Sequence, residues 1–278
     1  MDFKIIHVVL GKANPERMNG VNKVVNSLAH HQKNLGYQVA VWGLTKDPRV
    51  NFPSRNYDTE LFLDRSKFQL DPRIQKELIS CSPDTVFHIH GGFIPQFYLF
   101  ARLLVRHGFQ YTYTPHGAYN TVAMERSAIK KQVYIQLFER YLVKHAKQLH
   151  FIGQSEVHGA ECIFGVLKYS LIPNGQEIEL DATPIHSNTG NNSPIFGFVG
   201  RLDIHTKGLD ILLHGFAEYA VNTDHSAQLW LIGDGPERHV LEGMARELHI
   251  EHQVRFLGSR YGEEKMSLIK QMDMFCLC

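Results

Sequence analysis

The chain has 278 residues, enough for about two domains, and its 44% hydrophobic content is ordinary for a globular protein. Lys and Arg number 29 against 28 Asp and Glu, so the formal net charge of +1 argues against nucleic acid as a partner. The four cysteines lack the spacing of a metal site or a disulfide framework, which favours a reducing compartment.

The first segment of the chain is predicted to be a β-strand. Its apolar run at 5–10 is too short for a signal peptide, and it is preceded by an acidic residue. Other apolar stretches are interrupted by charges well before the roughly 20 residues that a transmembrane helix needs. We therefore expect a cytoplasmic protein.

Strands and helices are predicted to alternate after this first strand, with a polar stretch at 46–65 interpreted as mostly loop. A helix follows Gly20, and apolar periodicity predicts the strands and helical segments at 37–42, 85–90, 95–107, 110–114, 126–146 and 148–152. Such alternation predicts an α/β fold with a parallel, doubly wound sheet.

A segment of loop composition at 181–194 divides the chain, and the alternation then restarts. The predicted elements are strands at 195–199, 227–232, 253–257 and 273–277 and helices at 208–222, 236–248 and 262–271. The pattern predicts two Rossmann-like domains, 1–184 and 185–278, with a ligand in the cleft between the carboxyl edges of their sheets.

The turn after the strand at 195–199 carries the most informative residues. Gly200 permits a sharp turn, Arg201 leaves the carboxyl end of the strand, and Lys207 stands where the next helix is predicted to begin. Two cations beside a positive helix terminus suit a diphosphate, because Arg offers a planar fork and Lys a point charge. Two solvated surface charges are the alternative interpretation of this spacing.

The longer string that starts at Gly200, Gly-Arg-Leu-Asp-x-x-x-Lys-Gly-Leu-Asp-x-Leu-Leu-x-x-Phe, resembles the donor-site motif of family-4 retaining glycosyltransferases. Gly-Asp-Gly-Pro at 233–236 and Pro-Asn-Gly at 173–175 match the same family. The resemblance implies the GT-B fold, in which two Rossmann-like domains face a cleft. It also implies transfer of a sugar from a nucleotide-sugar, with retention at the anomeric carbon and without an obligatory cofactor or bound metal.

The resemblance assigns roles to individual residues. Arg201 and Lys207 would stabilise the negative charge on the leaving diphosphate, and His116 would orient the transferred sugar by hydrogen bonding. For His116, a histidine that only hydrogen-bonds within its loop is the alternative. The positions expected to bind the donor are Gly20, Gly200, Gly233, Asp234, Gly235, Leu257 and Gly258.

His88 and His90 lie two positions apart at the end of a predicted strand, so both imidazoles should share one face of the sheet. A metal pair is one interpretation, but no carboxylate or third histidine has a supporting spacing. The hypothesis that His90 and Gly91 line the acceptor pocket is favoured.

The helical segment at 126–147 is basic and amphipathic, and many enzymes of the resembled family use lipid-linked acceptors. Peripheral contact with the inner face of the membrane is therefore a hypothesis beside that of a glycan acceptor. The alternative is an ordinary core-packed helix whose acidic residues, including Glu139, dilute the charge of a solvated face.

The sequence ends within an apolar segment at 275–278, and no counterpart of the family's Glu-rich loop occurs before it. We expect a second domain that is incomplete, in a fragment of a longer enzyme, a natural truncation, or a chain completed by a companion. Two other functions stay open. One is a truncated, non-catalytic protein that binds sugar nucleotides; the other is an NAD(P)-dependent oxidoreductase, which the absence of Gly-x-Gly-x-x-Gly after the first strand disfavours.

Overall fold

The computed structural model describes residues 3–14, 20–125, 127–175 and 193–277. The chain forms two compact units, Met1–Gln176 and Glu177–Cys278, here called unit 1 and unit 2. Each unit is an α/β fold built on a parallel sheet, as the alternation predicts. The domain boundary predicted at 184/185 lies outside the described residues.

Unit 1 contains a seven-stranded sheet whose paired strands are all parallel. In chain order the strands are β1 (Lys4–Leu10), β2 (Gln38–Thr45), β3 (Asp58–Leu63), β4 (Val86–His90), β5 (Tyr111–Thr114), β6 (Gln148–Phe151) and β7 (Tyr169–Leu171). Their order across the sheet, β3-β2-β1-β4-β5-β6-β7, reverses direction at β1, which is the arrangement of a doubly wound fold.

Helices connect these strands. Two of them begin with a proline in the first turn, where the missing N–H costs no hydrogen bond. The helices of unit 1 are α1 (Gly20–Asn34), α2 (Pro72–Ile79), α3 (Pro95–Arg106), α4 (Thr121–Glu125), α5 (Ala128–Tyr134), α6 (Arg140–His145) and α7 (Gln154–Phe164), with a π-helical turn (Ile135–Glu139) between α5 and α6.

The two faces of the central strands carry different residues, because side chains alternate along a strand. One face is an aromatic core in which Trp42, Phe62, Phe87 and Phe100 pack edge to face. The other face, here called the polar face, carries histidines on β1, β4 and β6, beside a small apolar cluster that packs against α1. Several of these histidines hydrogen-bond one another across the sheet.

Two features of unit 1 differ from the sequence predictions. The stretch predicted as loop at 46–65 contains β3, whose register with β2 places Leu61 and Phe62 in the interior at the sheet edge. The helix predicted at 126–146 is interrupted by the π-helical turn, a feature that is frequent at functional sites.

Unit 2 contains a four-stranded parallel sheet with the order β10-β9-β8-β11. Its elements are β8 (Ile195–Val199), α8 (Ile204–Lys207), α9 (Leu209–Asn222), β9 (Gln228–Ile232), α10 (Arg238–Glu247), β10 (Val254–Gly258), α11 (Gly262–Ile269) and β11 (Met274–Phe275). Throughout the described residues, we find no helix with the length and apolar character to cross a membrane.

Candidate functional site

Three loops at the carboxyl ends of neighbouring strands in unit 2 are joined by backbone hydrogen bonds. Gly200 N donates to Ile232 O at 2.9 Å, and Leu202 N donates to Asp234 O at 3.1 Å. Gly233 N donates to Gly258 O at 2.8 Å. The structure thus brings the predicted donor-binding positions after β8, β9 and β10 to one edge of the sheet.

Two glycines of the Gly-Asp-Gly loop are required by this packing. A Cβ on Gly233 would lie 1.8 Å from Gly200 O, and one on Gly235 would lie 2.1 Å from Leu202 O. No real Cβ approaches a backbone oxygen that closely, so any side chain here would displace the loop after β8. Asp234, between them, is exposed and accepts the N–H of Gly235 at 2.8 Å.

Two carboxylates also hold the turn after β8 in place. Asp203 is 2% exposed, and its Oδ1 caps α8 by accepting the backbone N–H and the hydroxyl of Thr206 at 3.0 and 2.9 Å. Ile204 N donates to the carboxylate of Glu237, which precedes α10. The backbone that carries Arg201 and Lys207 is therefore held by two carboxylates.

Arg201 and Lys207 are both exposed cations. Within the described residues neither side chain has an ion pair or hydrogen bond, so both are available to an anion from outside the chain. Before the long helix predicted at 208–222, the structure contains the additional short helix α8, of which Lys207 is the last residue. Gly208 adopts a left-handed conformation with φ of 58° and separates the two helices. Lys207 nevertheless immediately precedes the amino end of α9, where Gly208 supplies no side-chain cap.

A chain of imidazole hydrogen bonds runs across the polar face of the unit 1 sheet. His7 on β1 contacts Gln32 of α1 through Nε2 at 2.7 Å and His90 of β4 through Nδ1 at 2.9 Å. His90 in turn contacts Nε2 of His116 at 2.9 Å. The predicted residues His90 and His116 are thereby directly connected, and His7 is a third member that sequence spacing did not reveal.

Burial keeps these histidines neutral. It lowers the pKa of His7 and of His116 from 6.5 to about 4, with a hydrogen bond to Gln32 opposing the effect at His7. Burial, reinforced by the neighbouring imidazoles, lowers the pKa of His88 and of His90 well below 6.5. Each ring therefore has one N–H donor and one lone pair at neutral pH.

One ring nitrogen from each of His7, His88 and His90 lies within 4.8 Å of the others, a spacing that could hold a metal ion. The 2.9 Å contact between His7 Nδ1 and His90 Nε2, however, is a hydrogen-bond distance. Two nitrogens bound to one tetrahedral zinc ion lie about 3.4 Å apart, and both must offer lone pairs. The geometry identifies this cluster as hydrogen-bonded imidazoles.

The loop that carries His116 is clamped by a buried glutamate. Glu156, 2% exposed in the first turn of α7, accepts the backbone N–H groups of Gly117 and Ile152. Burial raises the pKa of Glu156, and these N–H bonds together with those of Ala118 and Tyr119 oppose the rise. His116 itself has φ of 57°, an unusual value for a residue with a side chain, which this clamp maintains.

A second buried glutamate holds the neighbouring loop after β4. Glu139, at the end of the π-helical turn, is fully buried and accepts Phe93 N at 2.9 Å and the hydroxyls of Tyr113, at 2.8 Å, and Tyr119. The expectation that Glu139 lies on a solvated helix face is wrong, because this side chain is buried. Burial raises the pKa of Glu139, while its three donors favour the carboxylate.

The remaining predicted positions of unit 1 have distinct surroundings. Gly20 is the first residue of α1, and no atom of the described residues lies within 4 Å of a Cβ placed there. Its role in donor binding stays a prediction. His90 is 1% exposed and Gly91 is buried with φ of 117°, so His90 reaches other molecules only through its hydrogen-bonded neighbours. The acceptor-side roles of His90 and Gly91 stay predictions.

The depressed pKa of His7 makes stability depend on pH. Between its folded value of about 4 and its ordinary value of 6.5, only the unfolded chain binds a proton at His7, so stability is lost as pH falls through this window. Glu139 and Glu156, with raised pKa values, act in the opposite direction. We expect wild type to lose about 2 kcal/mol more than His7→Gln between about pH 7 and about pH 5.

Urea unfolding at each pH measures this difference. His214→Gln is the matched control, because His214 is an exposed residue of α9 with no ion pair or side-chain hydrogen bond among the described residues, and we expect this variant to lose as much stability as wild type. Equal losses of unfolding free energy in wild type and His7→Gln would contradict a neutral, buried His7.

Two family models account for nearly the whole sequence. The model described as Glycosyltransferase Family 4 matches residues 18–180, more than half of the chain, and the model described as Glycosyl transferases group 1 matches residues 182–278. The chain belongs to glycosyltransferase family 4. No curated protein matches the sequence.

Solved structures similar to this family-4 chain are glycosyltransferases with low sequence identity. The lipopolysaccharide outer core galactosyltransferase WaaB has a TM-score of 0.66 and 17% identity, over 99% of this chain and 73% of that chain. An S. aureus TarM variant in complex with fondaparinux, alpha-GlcNAc-glycerol and UDP has a TM-score of 0.72 and 11% identity, over 99% and 80%. WaaG, involved in lipopolysaccharide biosynthesis, has a TM-score of 0.60 and 15% identity, over 98% and 74%. These similarities establish the GT-B type of fold for the family-4 chain.

Proposed function

We propose that this chain transfers a sugar from a nucleoside-diphosphate sugar to a glycan or lipid-linked acceptor, with retention at the anomeric carbon. The bond from the anomeric carbon to the diphosphate breaks, and a bond to an acceptor hydroxyl forms on the same face of the sugar. The observation that carries the proposal lies at the carboxyl edge of the unit 2 sheet. There Arg201 and Lys207 are exposed, have no side-chain partner in the part of the chain that the structure describes, and lie on a backbone that Asp203 and Glu237 hold in place.

The chemistry of that edge matches the leaving group. A departing diphosphate gains negative charge, and fixed cations beside the amino end of a helix stabilise it more in the transition state than in the ground state. Gly200, Gly233, Gly235 and Gly258 allow the backbone to approach the nucleotide, and Leu257 precedes the last of them at the end of β10. In unit 1, His116 offers a neutral imidazole that can orient a sugar hydroxyl.

The similar structures support the donor class. The TarM complex contains UDP. A further similar structure, described as trehalose-6-phosphate from E. coli bound with UDP-2-fluoro glucose, has 12% identity and a TM-score of 0.62 over 99% of this chain and 78% of that chain. WaaB is a lipopolysaccharide outer core galactosyltransferase, and WaaG is a glycosyltransferase involved in lipopolysaccharide biosynthesis. These similarities favour a role for this chain in the assembly of lipopolysaccharide or another polysaccharide. We propose a location in the cytoplasm, at or near its membrane.

The test is turnover of a panel of nucleotide-sugars, with release of nucleoside diphosphate measured for hydrolysis and for transfer to glycan and glycolipid acceptors. Proton NMR of the product reads the anomeric configuration, and an inverted product would refute retention. Nucleotide binding without turnover would favour a non-catalytic sugar-nucleotide-binding protein. Oxidation or reduction of a nicotinamide cofactor would favour the oxidoreductase.

A specific surface favours peripheral contact with an anionic membrane as part of this function. Ile129, Val133 and Leu137 follow one another at helical spacing on α5 and the π-helical turn and are 79%, 55% and 60% exposed. The exposed lysines Lys130 and Lys144 lie on α5 and α6. Exposed apolar side chains on a helical segment that also carries basic residues are typical of surfaces that insert into the headgroup layer.

We expect the triple variant Ile129→Ser, Val133→Ser, Leu137→Ser to bind anionic vesicles at least about tenfold more weakly than wild type, because it loses the apolar area that the bilayer would bury. Co-sedimentation with phosphatidylglycerol vesicles at low salt measures the binding. Leu35→Ser is the matched control, since Leu35 is 76% exposed but lies beyond the end of α1. Failure of wild type to sediment would remove the membrane hypothesis, and equal binding of the triple variant would place the contact elsewhere.

A further inference from the structure

The chain of contacts from Gln32 through His7 and His90 to His116 has a direction. The amide oxygen Oε1 of Gln32 can only accept, so the Nε2 of His7 that lies 2.7 Å away must carry a proton. Neutral His7 then has its lone pair on Nδ1. That nitrogen accepts a hydrogen bond from Nε2–H of His90 at 2.9 Å.

The hydrogen bonds continue in the same direction to His116. Because neutral His90 donates from Nε2, its Nδ1 accepts, and the donor is Nε2–H of His116 at 2.9 Å. His116 therefore has its proton on Nε2 and a lone pair on Nδ1. Toward anything else that it contacts through Nδ1, His116 is an acceptor.

A second chain of contacts leaves this direction undisturbed. His150 Nε2 donates to the backbone oxygen of Ile172 at 2.8 Å, and its Nδ1 lies 2.9 Å from the hydroxyl of Thr114. Thr114 Oγ1 also lies 2.7 Å from Nε2 of His88. Among the described residues His88 makes this hydrogen bond and none to the three histidines of the first chain, so the second set of contacts does not reverse the first.

We propose that Gln32 is a positioning residue that fixes the tautomer of His116 through His7 and His90, so that His116 Nδ1 accepts a hydrogen bond from a hydroxyl of the bound sugar. The contact with the sugar rests on the proposed function, whereas the tautomer does not. Gln32 lies on α1 and is half-buried, so it acts through two intervening imidazoles. A carboxamide suits this role, because its oxygen orders the protons without adding a charge that would ionise His7.

Two substitutions of Gln32 separate this role from simple packing. Gln32→Met keeps the length of the side chain but removes the acceptor, so His116 should populate both tautomers. Gln32→Lys presents a donor to His7 Nε2, which reverses every hydrogen bond in the chain and moves the proton of His116 to Nδ1. Both new residues favour helices and the site is half-buried, so both variants should fold. Gln75→Lys, at an exposed glutamine of α2, is the matched control.

Nitrogen-15 NMR of the full chain labelled in histidine measures the tautomer, with His116→Gln identifying the His116 signals. We expect an Nε2-protonated His116 in wild type and Gln75→Lys, and an Nδ1-protonated ring in Gln32→Lys. In turnover of a nucleotide-sugar, kcat/KM should fall about tenfold in Gln32→Met and about a hundredfold in Gln32→Lys, and stay unchanged in Gln75→Lys.

The proposal is overturned if wild-type His116 carries its proton on Nδ1, or if Gln32→Lys leaves the tautomer as in wild type. It is also overturned if the tautomer changes but turnover does not, because the lone pair would then face no substrate group. If wild type turns over no nucleotide-sugar, the proposed function fails, while the NMR comparison still decides whether Gln32 controls His116.

Discussion

Replacement of Arg201 by Ala is expected to lower kcat/KM for a nucleotide-sugar by about 10²–10³-fold, and Lys207→Ala should have an effect of similar size. A residue that stabilises developing charge in a preorganised site contributes on the order of 3–4 kcal/mol to the transition state. Arg201→Lys should recover little activity, because a lysine cannot replace the two parallel hydrogen bonds of a guanidinium. Initial rates of nucleoside-diphosphate release measure each effect.

The losses should arise without unfolding, since both side chains are exposed and make no hydrogen bond or ion pair with the rest of the described chain. We expect each variant to keep its unfolding free energy within about 0.5 kcal/mol of wild type. Lys270→Ala is the matched control, because Lys270 is an exposed lysine that follows α11 at the opposite edge of the unit 2 sheet. Wild-type turnover in Arg201→Ala would show that this turn does not bind the diphosphate.

The sequence predicted the alternation of elements well, and it predicted the Arg201–Lys207 turn because both depend on local patterns. Runs of apolar residues and glycines at strand ends are visible within a few positions of the chain. The strand β3 is not predicted because its three apolar residues, Leu61, Phe62 and Leu63, come together at its end, after polar neighbours. Its pairing with β2, which no local pattern encodes, determines that it is a strand.

The long-range parts of the candidate site could not be predicted for the same reason. His7 and His90 are 83 positions apart in the sequence. Glu139 lies 26 positions from Tyr113 and 20 from Tyr119, whose hydroxyl hydrogen bonds it accepts. In the sequence, Glu139 has the spacing of a solvated acid in a basic helix, and only tertiary packing buries it. A signal was present for His7 alone, as a polar residue inside an otherwise apolar strand, which needs a buried hydrogen-bond partner.

Helix α7 packs closely against the loop that carries His116, and a substitution at this contact tests how unit 1 holds its candidate site. Gly159 is three residues after Glu156, so both face the same side of α7. A Cβ on Gly159 would lie 1.9 Å from Tyr119 O, a backbone atom of that loop. Gly159→Ala must therefore push the loop away from the helix, and the N–H groups of Gly117 and Tyr119 away from the Glu156 carboxylate.

We expect Gly159→Ala to destabilise the chain by about 3 kcal/mol and to lower nucleotide-sugar turnover by about a hundredfold, because His116 depends on this loop for its position. Gly243→Ala is the matched control: it is also a helical glycine, on α10, but its Cβ would meet only a side-chain nitrogen of Arg246 at 3.9 Å. In that open site alanine should stabilise the helix by about 0.5–1 kcal/mol. Opposite signs in chemical denaturation would attribute the loss at Gly159 to the loop contact, whereas a stable and active Gly159→Ala would show that the loop tolerates the shift and that its clamp does not position His116.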